Sequence, residues 1–226
     1  MKAEILEELV RAREEKRPVA LATRLSDGFE DIVYHNDTTH KNWLVEAVSE
    51  VLRADKGRVQ TDPDEEDWFL NPFNPPLRLV ILGAVHIAQP LAKIAELANY
   101  DVTVIDPRTA FASEERFPGV KLVTEWPDEA MEAIDLDTRT AVVTLTHDPK
   151  LDDPGLHAAL RSPCFYIGAL GSRKTHGTRV ERLKEAGFSD NEISRIHGPV
   201  GLNIGARSPA EIAISIMAEM TERLRT

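Results

Sequence analysis

Leu77-Arg78-Leu79-Val80-Ile81-Leu82-Gly83-Ala84-Val85-His86-Ile87-Ala88 is the stretch whose reading decides the fold. An apolar run ends at a glycine and passes into a helical pattern, as where a parallel strand turns into a phosphate-facing helix. Residues 77–82 read as a central strand covered on both faces. A helix follows from about Val85, with Ile87, Leu91, Ile94 and Ala98 recurring at helical spacing. Pro90 fits only near its first turn, where backbone N–H groups lack intrahelical partners. Residues 101–106, DVTVID, read as a second strand that ends in an acid. Asp106 lies roughly 20 residues past Gly83, the distance at which dinucleotide-binding units place a carboxylate on a ribose hydroxyl.

The glycine pattern is incomplete. Gly83 supplies the first glycine of G-x-G-x-x-G, and Ala88 is permitted at the third position, but Val85 stands at the second. There the backbone normally approaches a pyrophosphate, and a β-branched side chain obstructs that approach. The doubly wound fold is expected nonetheless, while a tight NAD(P) site is disfavoured.

The chain has 226 residues, 42% of them hydrophobic and 29% charged, enough for a real core in one large or two small domains. Its net charge of -11 disfavours nucleic acid and anionic membranes, which require basic surfaces. The single cysteine, Cys164, excludes an intrachain disulfide and points to a reducing compartment. The N-terminus mixes acids and bases without a continuous apolar segment, unlike a signal peptide. No apolar run is long enough to span a bilayer.

Taken in order, residues 3–15 read as an amphipathic helix ended by Arg17-Pro18. Residues 19–23 and 31–34 are short strands, and a helix capped by Thr39 carries Val45, Ala47, Val48, Val51 and Leu52. Residues 1–54 thus form a small N-terminal α+β unit. Residues 55–76, dense in acid and proline, read as a linker whose Trp68, Phe69, Leu70 and Phe73 anchor it on a domain surface. Residues 77–226 alternate strand and helix. Further strands are expected at 121–124, 140–146 and 164–170, and helices at 127–134, 151–161 and 175–186. Two capping boxes, Ser189 with Glu192 and Ser208 with Glu211, start the last helices. This order predicts an α/β, Rossmann-like doubly wound parallel sheet.

In such sheets ligands sit beyond the carboxyl ends of the strands. Those ends carry Gly83 and His86, then Asp106 and Arg108, then His147 and Asp148, then Gly168, Gly171, Ser172, Arg173 and Lys174. Basic residues at a helix N-terminus oppose the macrodipole, so Arg173 and Lys174 beside two glycines suit a phosphate. A solvated loop is the alternative. His147 and Asp148 are either an acid–base pair or a turn into the next helix. His35 and His40 lack an obvious third ligand for a metal. Cys164 reads as a small buried hydrophobe. Gly201 and Gly205 place backbone close to a ligand or to another loop.

Several motifs in fixed order resemble the XdhC/CoxI family: Gly83-Ala84-Val85-His86, Asp106-Pro107-Arg108, Glu115-Arg116-Phe117-Pro118, Thr146-His147-Asp148, residues 166–173 (YIGALGSR), residues 199–206 (PVGLNIGA) and residues 208–213 (SPAEIA). The resemblance runs from about Leu77 to the C-terminus. It implies a cytoplasmic chaperone that binds the molybdenum cofactor, as molybdopterin or a dinucleotide form. Such a chaperone protects the cofactor during sulfuration by a cysteine desulfurase and delivers it to an apo molybdenum hydroxylase such as xanthine dehydrogenase. The family usually reads Gly-Ala-Gly-His where Val85 stands here, and its N-terminal half carries a Gly-Cys-Val-Glu motif. Only residues 17–23, RPVALAT, resemble that half. The missing cysteine implies the C-terminal function alone, a different way of working, or cooperation with a separate subunit; a homodimer is left open. Two alternatives remain: an NAD(P)-dependent oxidoreductase with His147 as proton donor, and a nucleotide-sensing regulatory module.

Overall fold

The structure, a computed structural model, describes residues 2–35 and 37–226, and it divides into two compact units between Pro75 and Pro76. The first contains α1 (Ala3–Glu14), β1 (Val19–Arg24), β2 (Glu30–Tyr34), α2 (Asn42–Ala54), β3 (Arg58–Thr61) and β4 (Asp67–Phe73). Its four strands form an antiparallel sheet in the order β2-β1-β4-β3. Strand alternation gives β1 two apolar faces. Ala20 and Ala22 pack with Val48 and Val51 of α2, while Val19 packs with Leu9 and Ala12 of α1.

The expected linker at 55–76 is instead half of this sheet. Its acids build the β3–β4 turn: the Asp62 carboxylate accepts the backbone N–H groups of Asp64 (2.8 Å) and Glu66 (2.9 Å) and the Trp68 indole N–H (3.1 Å). Trp68 and Leu70 enter the core beside α2. Pro72 is tolerated because β3 extends only as far as Leu70, so its missing N–H removes no ladder bond on that side. Thr39 does not cap α2. Lys41 occupies the N-cap position, and the Thr39 hydroxyl donates to Asp37 at 2.6 Å.

The second unit alternates β5 (Leu77–Leu82), α3 (Ala88–Leu97), β6 (Tyr100–Ile105), β7 (Lys121–Val123), α4 (Pro127–Glu132), β8 (Thr140–Thr144), α5 (Pro149–Leu160), β9 (Tyr166–Ala169), α6 (Arg173–Glu185), α7 (Asp190–Ile193), β10 (Ile196–His197) and α8 (Pro209–Arg225). Six parallel strands run in the order β10-β9-β8-β5-β6-β7. The order reverses between β5 and β8, the switch point of a Rossmann sheet. Leu79 and Ile81 face α3 and α8, whereas Val80 and Leu82 face α4, α5 and α6, which accounts for the apolar run of β5. The helix after β5 starts at Ala88 rather than Val85, so residues 83–87 are left as a turn and Pro90 sits in the first helical turn. Both capping boxes form. Cys164 lies two residues before β9, not within it, and burial raises its thiol pKa. Among the described residues, no helix is long and apolar enough to cross a membrane.

Candidate functional site

The switch point brings the turn after β5 against the turn after β8. Gly83 has φ +104°, and a Cβ there would meet the Thr146 methyl group at 2.4 Å, so glycine is demanded by both backbone and space. Thr146 cannot give way freely. Its hydroxyl donates to Asp152 at 2.6 Å, and its N–H donates to the same oxygen at 3.2 Å. The other Asp152 oxygen accepts the His147 N–H at 3.0 Å, and His147 is held in the left-handed region at φ +66°.

On the far side of β5, Asp106 is fully buried and saturated. Its carboxylate accepts the Ala84 N–H (2.8 Å), the Arg108 N–H (3.0 Å) and the Arg108 guanidinium at two points (2.8 and 2.7 Å). Burial alone would raise the Asp106 pKa, but the Arg108 guanidinium and the backbone donors outweigh it and hold the carboxyl below its ordinary range. Asp106 is therefore not free to accept a ribose hydroxyl, the role its spacing suggests. Arg108 keeps part of its guanidinium exposed, stacked 4.6 Å from the Phe111 ring centre. Arg116 ties this end together by donating to the carbonyls of Ala84 (2.8 Å) and Phe111 (2.6 Å).

His147 and Asp148 do not form an acid–base pair. Asp148 is the N-cap of α5 and accepts the Lys150 N–H at 3.0 Å, while His147 is exposed. His86 is exposed on the turn before α3. Gly168 lies inside β9, paired with His197 on one side and Val143 on the other. A Cβ there would meet Val200 at 2.5 Å, so this glycine serves packing rather than a loop.

The turn after β9 holds one of the two glycines read beside Arg173 and Lys174. Gly171 has φ +148°, and Ser172 caps α6 by accepting the Thr175 N–H at 3.1 Å. Arg173 and Lys174 open the helix, both exposed, and among the described residues neither pairs with an acid. Their N–H groups lie in the first turn, where no intrahelical acceptor exists.

Two residues that sequence reasoning did not assign to the site underlie these turns. Arg179 on α6 is 1% exposed and donates to the Leu170 carbonyl at 2.8 Å, with one nitrogen 4.0 Å from the buried Asp152 carboxylate. Among the described residues its Nε and Nη1 have no partner. Burial raises the Asp152 pKa and lowers that of Arg179. The pair joins the turn after β8 to the turn after β9. The only signal for Arg179 was its position four residues before Leu183 on the inward face of α6.

Residues 79–220 match the family model described as the XdhC Rossmann domain. The chain is 36% identical over 157 residues to the molybdenum cofactor insertion chaperone PaoD of Escherichia coli, and that match covers 68% of this chain and 43% of PaoD. It is 32% identical over 157 residues to a protein of Bacillus subtilis described as a probable subunit of xanthine dehydrogenase, covering 69% of this chain and 46% of that protein. The matched stretch thus spans less than half the length of either relative. A crystal structure of a xanthine dehydrogenase from Bacillus halodurans shares the fold, with a TM-score of 0.71 and 24% identity across 98% of this chain and 64% of that one.

Proposed function

The chain belongs to the XdhC family, and on that footing we propose that it binds the molybdenum cofactor and inserts it into a molybdenum hydroxylase of the xanthine dehydrogenase type, without turnover of its own. The observation that carries this reading is the exposed, unpaired Arg173 and Lys174 at the start of α6, beside the Gly171 turn. Two cations at a positive helix end are tolerable in water and become favourable once an anion binds between them. Molybdopterin carries a phosphate, and its dinucleotide forms carry a pyrophosphate, so either would supply that anion. The cofactor is cargo whose metal works in the recipient enzyme.

Gly83, Arg108 and the His147–Asp148 turn would line the side of the cargo nearest the switch point, with His86 at the rim. Asp106 acts through Arg108, whose guanidinium it orients. Ser172 shapes the cradle as a cap, and Gly168 lets β9 pack beneath it. In this reading a cysteine desulfurase sulfurates the cofactor while it is held in the cytoplasm. Any step that needs the cysteine of a Gly-Cys-Val-Glu motif falls to a separate subunit, unless the chain works in a different way or performs the C-terminal function alone. An NAD(P)-dependent reaction finds no support here, because Asp106 has no oxygen left for a ribose hydroxyl and Val85 stands where the pyrophosphate would approach.

The test is a titration of the purified protein with molybdenum cofactor, with NAD(P) run in parallel. Saturable, stoichiometric cofactor binding without nicotinamide binding is expected. Nicotinamide binding alone would overturn the proposal and turn attention to a substrate near His147.

A further inference from the structure

A cleft of about 450 Å³ opens between the turn after β9 and the segment 199–206 that follows β10. This volume lies within the usual range for small-ligand pockets. Its walls are about evenly polar and apolar, with Leu170, Val200, Leu202 and Ile212 supplying the apolar part, and among the described residues Arg173 is the one charged side chain in its lining. The buried Arg179 guanidinium stands behind the same wall, holding the Leu170 carbonyl while two of its nitrogens lack partners among the described residues.

The opposite wall is built to hold its shape. Gly201 has φ +91°, and a Cβ there would meet the Ser215 hydroxyl at 2.4 Å. Its N–H donates to Glu219 at 2.8 Å. The same Glu219 oxygen accepts the Tyr166 hydroxyl at 2.5 Å, and the other lies 3.1 Å from His197 Nδ1. Leu202 donates its N–H to the Ser215 carbonyl at 3.1 Å. Beyond these anchors the polar groups are left over: the N–H groups of Asn203, Gly205 and Ala206 make no hydrogen bond among the described residues, and the Asn203 amide is likewise unengaged. An amide side chain offers two donors and an acceptor that accepts twice. Ile204, 56% exposed, adds an apolar surface at the mouth.

We propose that this cleft holds the pterin ring of the cargo, with the Asn203 amide and the neighbouring backbone N–H groups on the ring edge and Arg173 on the attached phosphate. The proposal rests on the cofactor reading above and deepens it. A pterin is flat, with apolar faces and an edge that alternates donors and acceptors, which is the combination the two walls supply. The turn after β5 is less suited, because Asp106 already takes the Ala84 N–H and Val85 occupies the close-approach position.

Amide chemical shifts of the isotope-labelled full chain, titrated with hydroxymethylpterin and separately with pyrophosphate, test it. Pterin is expected to move Asn203, Gly205 and Ala206, and pyrophosphate to move Gly171, Arg173 and Lys174. Asn203→Ala should weaken pterin binding about tenfold, the loss of one or two hydrogen bonds, with an unchanged melting temperature. Glu96→Ala on the exposed side of α3 should leave binding as it is. Pterin shifts confined to Gly83, Arg108 and His147 would overturn the location while the cargo reading stands. Cofactor binding by the chain with no response to pterin would also overturn it. Failure to bind the molybdenum cofactor at all would remove both readings together.

Discussion

Gly83 and Thr146 show how little freedom the switch point has. The glycine carries a φ that other residues avoid, and the space its Cβ would need is filled by a methyl group that Asp152 holds in place. Gly83→Ala should therefore destabilise the protein by on the order of 2 kcal/mol or more, from backbone strain and overpacking together. Adding Thr146→Ser removes the methyl group, so the double variant should regain the overpacking part and keep the strain. Denaturant unfolding of the single and double variants measures the difference. At this scale the sequence named Gly83, Asp106 and Arg108 rightly as residues at strand ends. It could not tell that Asp106 spends its lone pairs on Arg108 and Ala84, because a hydrogen-bond partner is a matter of distance in space. His147 and Asp148 illustrate the same limit: adjacent in sequence, they point to different work, and Asp148 is used as a helix cap.

Two elements carry predictions of their own. Read as a linker, residues 55–76 would tolerate truncation of an apolar side chain, whereas β4 as a central strand would not. Leu70→Ala removes a fully buried side chain and should cost about 2–5 kcal/mol, read as a lowered denaturation midpoint. The linker reading failed because acid and proline density signals irregular chain on average, while here Asp62 organises a hairpin turn and Pro72 lies past the end of its neighbouring strand. At α6 the cations oppose the helix dipole in the absence of an anion. Arg173→Ala with Lys174→Ala should leave the unliganded protein as stable or more stable by about 0.3–1 kcal/mol, yet weaken binding of any phosphate-bearing ligand. Thermal melting and calorimetry on one preparation check both halves. Unchanged affinity would remove the cradle from the site.

For the whole molecule, the proposed function predicts transfer. Loaded with cofactor, the protein should activate an apo molybdenum hydroxylase of the xanthine dehydrogenase type, and the Arg173→Ala, Lys174→Ala variant should activate it poorly at equal concentration. Hydroxylase turnover after mixing is the readout. A chain of net charge -11 must draw an anionic cargo by local charge rather than by its overall field, which is why two adjacent cations weigh so heavily in this reading. The sequence by itself determined the parallel, doubly wound class of the second unit. Continuous apolar strands, helical periodicity, capping boxes and a glycine at the first turn are local signals, each set by neighbours a few residues apart. Only the tertiary structure decided that the N-terminal unit closes with β3 and β4, that Arg179 and Asp152 join two turns from beneath, and that the segment 199–206 faces Arg173 across a cleft. Those facts depend on which distant residues share a volume, and burial, pairing and cavity shape come into being only when the strands are laid side by side.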